Sequence, residues 1–78
     1  MKVGIYTPSG PLYEGEAQRV SAFGVEGSFE ILEGHAPLIA QLAAGPLSVL
    51  TAEGEKTFFL HSGFLWVEVN GEVRVLAS

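Results

Sequence analysis

The chain has neither cysteine nor aspartate. Without cysteine, disulfide staples, thiolate zinc sites, dithiol redox chemistry and a cysteine nucleophile are all excluded, and a core built from 78 residues must hold by packing alone or with a partner's help. Without aspartate there is no Ser-His-Asp arrangement. A glutamate behind His35 or His61 is the remaining form of that chemistry, and no nucleophile elbow presents a serine to either. Basic residues are few: Lys2, Arg19, Lys56 and Arg74 stand against nine glutamates, for a net charge of −5. They form no cluster in sequence, so neither a nucleic-acid backbone nor an anionic bilayer meets the basic patch it requires. No apolar run approaches the roughly 18 residues of a membrane span. Met1 to Thr7 lacks the basic-then-apolar order of a signal peptide, so the expected compartment is cytosolic. Gly24, Gly27 and Gly34 are spaced irregularly, and no Gly-x-x-x-x-Gly-Lys run offers a phosphate cradle.

What is present is apolar and glycine-rich: 47% of residues are hydrophobic and 10 are glycine. That is too apolar and too weakly charged for disorder. Apolar side chains recur at period two, and Gly, Pro or Asn interrupts them every eight to twelve residues, the pattern of short antiparallel strands. Val3 and Ile5 open the first strand, which Pro8-Ser9-Gly10-Pro11 ends. Short strands follow at Leu12–Glu14, Ala17–Phe23, Ser28–Glu33 and Leu47–Thr51, then at Lys56–Ser62, Phe64–Val69 and around Val73 and Val75. Ala52-Glu53-Gly54-Glu55 and, most strongly, Asn70-Gly71 read as hairpin turns. Leu38 to Leu42 is ambiguous, because its leucines and isoleucine also fit helical spacing in a stretch too short for a good isolated helix. With no long crossover to permit parallel pairing, residues 1–78 form one all-β domain, a small antiparallel sandwich or flattened barrel.

A single-core sandwich needs apolar residues only at alternate strand positions. Ile31-Leu32, Leu38-Ile39, Phe58-Phe59-Leu60 and Phe64-Leu65-Trp66-Val67 put them on both faces, which implies an outer face covered by another protein. Trp66 with Phe64, Phe58 and Phe59 is also the set that would stack a small ligand on an exposed sheet. Glu30, Glu33 and His35 are close in sequence, but a strand sends the two carboxylates to opposite faces, and one imidazole is a poor start for a metal site. His35 fits a turn histidine bonded to nearby backbone, and His61 a partly buried strand histidine.

Gly27-Ser28-Phe29-Glu30-Ile31-Leu32-Glu33-Gly34-His35-Ala36-Pro37-Leu38 runs on through Ile39-Ala40-Gln41-Leu42 and Gly45-Pro46-Leu47-Ser48-Val49. This stretch resembles the signature region of the F-type ATP synthase epsilon subunit family, with Gly-His-Ala-Pro-Leu its most specific part. Thr7-Pro8-Ser9-Gly10, Leu12-Tyr13-Glu14-Gly15-Glu16 and Ser62-Gly63-Phe64-Leu65-Trp66-Val67-Glu68-Val69 extend the similarity over essentially the whole chain. The resemblance implies an amino-terminal sandwich of two five-stranded sheets, about ten strands, in the central stalk of a rotary ATP synthase. One sheet would pack on the gamma subunit and one end would sit on the polar loops of the c ring. The alpha/beta head would be reached only indirectly, and the membrane, from its cytoplasmic side, only through the complex. No chemistry and no cofactor belong to such a domain.

By motif, the c-ring-facing residues are Ser28, Glu30, Glu33, Gly34, His35, Ala36, Pro37 and Leu38, and the apolar doublets offer Phe59 and Trp66 for the gamma subunit. The family usually has glycine at the position of Glu30 and proline at that of Glu33, so this tip is more acidic. Family members commonly continue into a carboxy-terminal helical hairpin, which in some binds ATP and inhibits hydrolysis. The sequence here ends at Ser78; if that is the natural end, those roles are not carried over. The expectation is a noncatalytic rotor subunit that couples ion flow to ATP synthesis. The alternative is a small cytosolic ligand-binding sandwich; tight association with a gamma-type subunit, against saturable quenching of Trp66 by a small molecule, separates the two.

Overall fold

In the computed structural model, which describes residues 1–78, the period-two alternation becomes nine strands and no helix. They are β1 (Lys2–Thr7), β2 (Gly10–Glu16), β3 (Arg19–Gly24), β4 (Gly27–Leu32), β5 (Leu38–Leu42), β6 (Gly45–Thr51), β7 (Gly54–Leu60), β8 (Gly63–Val67) and β9 (Val73–Ala77). The hydrogen-bonded order β2-β1-β9-β8-β5 makes a five-stranded half. A four-stranded half, β4-β3-β6-β7, faces it. The nine strands agree with the expected sandwich of about ten, divided five and four where the family resemblance implies five and five. The halves are also continuous, because β3 pairs with β6 through Arg19–Ser21 and then, at Gly24, with Leu42 of β5. The sheet curls until Lys56 of β7 lies 5.7 Å from the ring centroid of Tyr13 in β2, so the outermost strands of the two halves approach each other.

The core lies between the halves, filled by the inward member of each apolar doublet. Ile5, Leu65, Val73 and Val75 from one half meet Val20, Ile31, Leu47 and Val49 from the other, all essentially inaccessible to solvent. Leu38–Leu42 is a strand. Its five residues pair with β8 along their whole length, burying Leu42 and exposing Ile39 and Gln41, and that ladder outweighs helical spacing too short to sustain a helix.

Antiparallel pairing, expected throughout, fails in one place. β1 and β9 run parallel, with Val3 opposite Val73 and Ile5 opposite Val75. A parallel pair needs a long connection, and here the seven intervening strands provide it. The Asn70-Gly71 turn also takes its own form. Glu68 N–H donates to the Glu72 carbonyl at 2.8 Å and Gly71 N–H to the Glu68 carbonyl at 2.8 Å, leaving a three-residue loop in which Gly71 alone has positive φ, +89°. This is a turn followed by a glycine bulge, the three-residue solution for a hairpin. Two tighter hairpins repeat one device: Thr7 Oγ1 donates to the Gly10 carbonyl at 2.9 Å and Thr51 Oγ1 to that of Gly54 at 2.8 Å. His61 lies beyond the end of β7 and is exposed; the expected strand position for it is wrong because β7 ends at Leu60.

Candidate functional site

The outer face of the five-stranded half is read directly from the strand register. One row crosses it as Ile39, Trp66, Arg74, Gly4 and Glu14, and the next as Gln41, Phe64, Leu76, Tyr6 and Pro11. Ile39 is 81% exposed, Leu76 52% and Phe64 51%, with Trp66 half-buried among them. These are the outward neighbours of Leu65, Val67 and Val75, which are in the core, and of Leu38, which packs against it. The polar side of the same face is tied within itself. Arg74 Nε lies 2.6 Å from Glu68 and its Nη2 3.2 Å from Glu72. Tyr6 OH donates to Glu14 at 3.0 Å, and that hydrogen bond, ahead of burial and the glutamate's charge, raises the phenol above its ordinary 10.0.

The outer face of the four-stranded half is different in kind. Its central row is Glu30, Ser21, Ser48 and Thr57, with Ser48 and Thr57 hydroxyls 3.0 Å apart. Phe59, 81% exposed, stands at one edge of this face on β7, paired with Pro46. The two side chains nominated together from the sequence, Phe59 and Trp66, thus lie on opposite outer faces. The four aromatics nominated as a stacking platform divide in the same way, with Phe64 and Trp66 on one half and Phe58 and Phe59 on the other.

The motif residues are strung along the molecule rather than gathered at one tip. Ser28 follows the β3–β4 turn at one end, and Glu33 to Pro37 form the loop at the other end of β4. Glu30 between them faces outward on the four-stranded half, so Glu30, Glu33 and His35 are set apart. In the loop, Gly34 takes φ of +85° and His35 N–H donates to the Leu32 carbonyl at 3.1 Å. His35 Nδ1 lies 2.7 Å from the Ala36 carbonyl, a contact that places the proton on Nδ1, as expected of a turn histidine. A groove of about 480 Å³ connects the two ends, with Ser28 and Phe29 on one wall, Leu38 and Ile39 on the other, and His35 reaching into it. On its far side the loop shares a concavity of about 670 Å³ with the β8–β9 turn, Val69 to Glu72.

The two ends of the sandwich also differ in charge. Glu16, Glu33, Glu53, Glu55, Glu68 and Glu72 all lie at or beside the end that carries the Gly34-His35 loop. The opposite end, made by the turns at 7–10 and 24–27 and the links at 43–44 and 61–62, has Glu26 as its one carboxylate side chain and exposes Phe23, Val25 and Phe59. No sequence pattern announced this asymmetry, since the glutamates are spread evenly along the chain and only the strand directions sort them.

The family described as the ATP synthase, Delta/Epsilon chain, beta-sandwich domain matches residues 1–78. An ATP synthase epsilon chain of Salinibacter ruber is 40% identical over 87 aligned positions, which take in all of this chain and 58% of that one. The epsilon chain of Chlorobium limicola is 38% identical over 78 positions, covering 99% of this chain and 86% of the relative. The chain therefore spans little more than half of the first relative's length and most of the second's. Among solved structures, a chain of the central stalk and c-ring of the Tetrahymena thermophila mitochondrial ATP synthase superposes with a TM-score of 0.85 over 99% of this chain and 62% of that one. At 19% identity that likeness is one of fold.

Proposed function

Because the chain belongs to the family of ATP synthase delta/epsilon-chain β-sandwich domains, we propose that it is a noncatalytic rotor domain. In this reading it binds a gamma-type subunit through the outer face of its five-stranded half and meets the c-ring loops with its β3–β4 end. The observation that carries the reading is the exposed set Ile39, Phe64 and Leu76 around Trp66. Four large apolar side chains in adjacent rows of one face form a contiguous patch of the kind that marks an interaction surface. Phe59, on the other half, falls outside that surface.

For the ring contact the charge distribution supports the end with Ser28. Desolvating carboxylates against a partner is costly unless each is paired, and this end presents only Glu26. His35 and Leu38 then line the groove that continues from it. The mechanical role follows from construction: a curled sheet with a shared core moves as one body, so torque delivered at one surface is passed on at the other.

Titration of the chain against a gamma-type subunit tests the reading. Phe64→Ala and Ile39→Ala should each weaken binding by about tenfold or more while melting near the parent temperature, and Phe59→Ala should bind as the parent does. Parent-like binding by both of the first two overturns the assignment of the face. Since the chain has no cysteine, Ser28→Cys and Glu53→Cys can be introduced singly into the assembled complex. Cross-linking to the ring subunit is expected from position 28 alone, and cross-linking from 53 alone would reverse the ends.

A further inference from the structure

We propose that Asn70 is a site of spontaneous deamidation whose rate is set by opening of the β8–β9 hairpin, and whose product changes the charge of the concavity beside His35. The chain's single asparagine is followed by glycine, the residue that leaves the attacking backbone nitrogen least hindered. Asn70 is exposed, at the tip of the three-residue loop.

The reaction requires only water. The Gly71 amide nitrogen, its proton taken by solvent base, attacks Asn70 Cγ. The new N–Cγ bond forms as the Cγ–Nδ2 bond breaks, and the leaving nitrogen picks up a proton to depart as ammonia. Water then opens the cyclic imide at either carbonyl, giving aspartate or isoaspartate. No electron is transferred.

In the closed hairpin both reacting groups are held. Gly71 N–H donates to the Glu68 carbonyl at 2.8 Å, and Asn70 Oδ1 accepts from Glu72 N–H at 3.0 Å. Attack must wait until the first bond breaks and the side chain turns. Arg74 opposes that opening by bridging the two legs, with Nε 2.6 Å from Glu68 and Nη2 3.2 Å from Glu72. The product places a third carboxylate between these two glutamates, on the wall of the concavity that the Gly34-His35 loop forms on its other side. Isoaspartate also lengthens the loop backbone by one bond, displacing the turn that sets Val67 opposite Val73.

Incubating the chain at mildly alkaline pH, with peptide mapping at intervals, tests the proposal. Because the chain contains no aspartate, any aspartate or isoaspartate recovered by mapping reports this site. The urea-unfolded chain should convert about tenfold or more faster than the folded one. In the folded state Arg74→Ala should convert about two- to fivefold faster than the parent, the scale of two exposed ion pairs, and at the parent's rate in urea. Equal rates folded and unfolded, or earlier conversion of Gln18 or Gln41, overturns the proposal whether or not the variant folds. An unchanged rate in a folded Arg74→Ala chain overturns the hairpin as the gate.

Discussion

Tyr6 shows how a single side chain carries a condition-dependent part of stability. Its phenol donates to Glu14 on the neighbouring strand, and the hydrogen bond raises it above the ordinary tyrosine value. Folding therefore favours the neutral phenol. The contribution is complete below the unfolded value of about 10 and is lost as pH rises through the higher folded value. Tyr6→Phe has no such bond to lose. Melting temperatures of the two proteins should differ at pH 8 and converge above pH 10, and a gap that stays constant into alkaline solution would show that the bond contributes nothing.

Between strands, the most exacting contact is made by the absence of a side chain. Gly63 opens β8 opposite Ala77 of β9, where a Cβ would run into the Leu76 carbonyl oxygen and lie 3.0 Å from Ala77 Cα. Both obstacles are backbone and cannot rotate away. Gly63→Ala should cost about 1–3 kcal/mol in urea unfolding, whereas a loss under half a kcal/mol would mean the strands separate there at little cost. The sequence announced this boundary, as it announced the turns at Pro8-Ser9 and Ala52-Glu53, because turn chemistry is local: a glycine that can take positive φ and a threonine that can bond the turn are both written in four residues. The alternation that puts Ile31 inside and Leu32 outside was equally legible. Partnership was not. Nothing in Arg19–Gly24 records that β3 passes from β6 to β5, and nothing in β1 records that it lies beside β9. The candidate site suffered from the same gap. Ser28 and His35 are seven positions apart and are assigned by motif to one tip, but the strand between them carries them to opposite ends of the sandwich.

For the molecule as a whole, the pairing pattern bears on kinetics as well as on shape. Contacts such as those of β1 with β9 and of β5 with β8 join residues distant in sequence, and chains dominated by such contacts fold in milliseconds to seconds. Half-buried Trp66 reports closure of the five-stranded half, so stopped-flow fluorescence should show its main refolding phase in that range. A microsecond main phase would imply that local hairpins already enclose the indole.

The parallel seam of β1 and β9 also has a consequence on the ribosome. Within the domain, Val3 and Ile5 emerge ahead of the other core residues and cannot meet Val73 and Val75 until nearly the last residue of the domain has left the exit tunnel. Through that interval β1 has only β2 to pair with, and the edge that β9 will fill stays open. The domain is therefore completed after its own translation, and the nascent chain is the form in which holdase chaperones and proteases would find it.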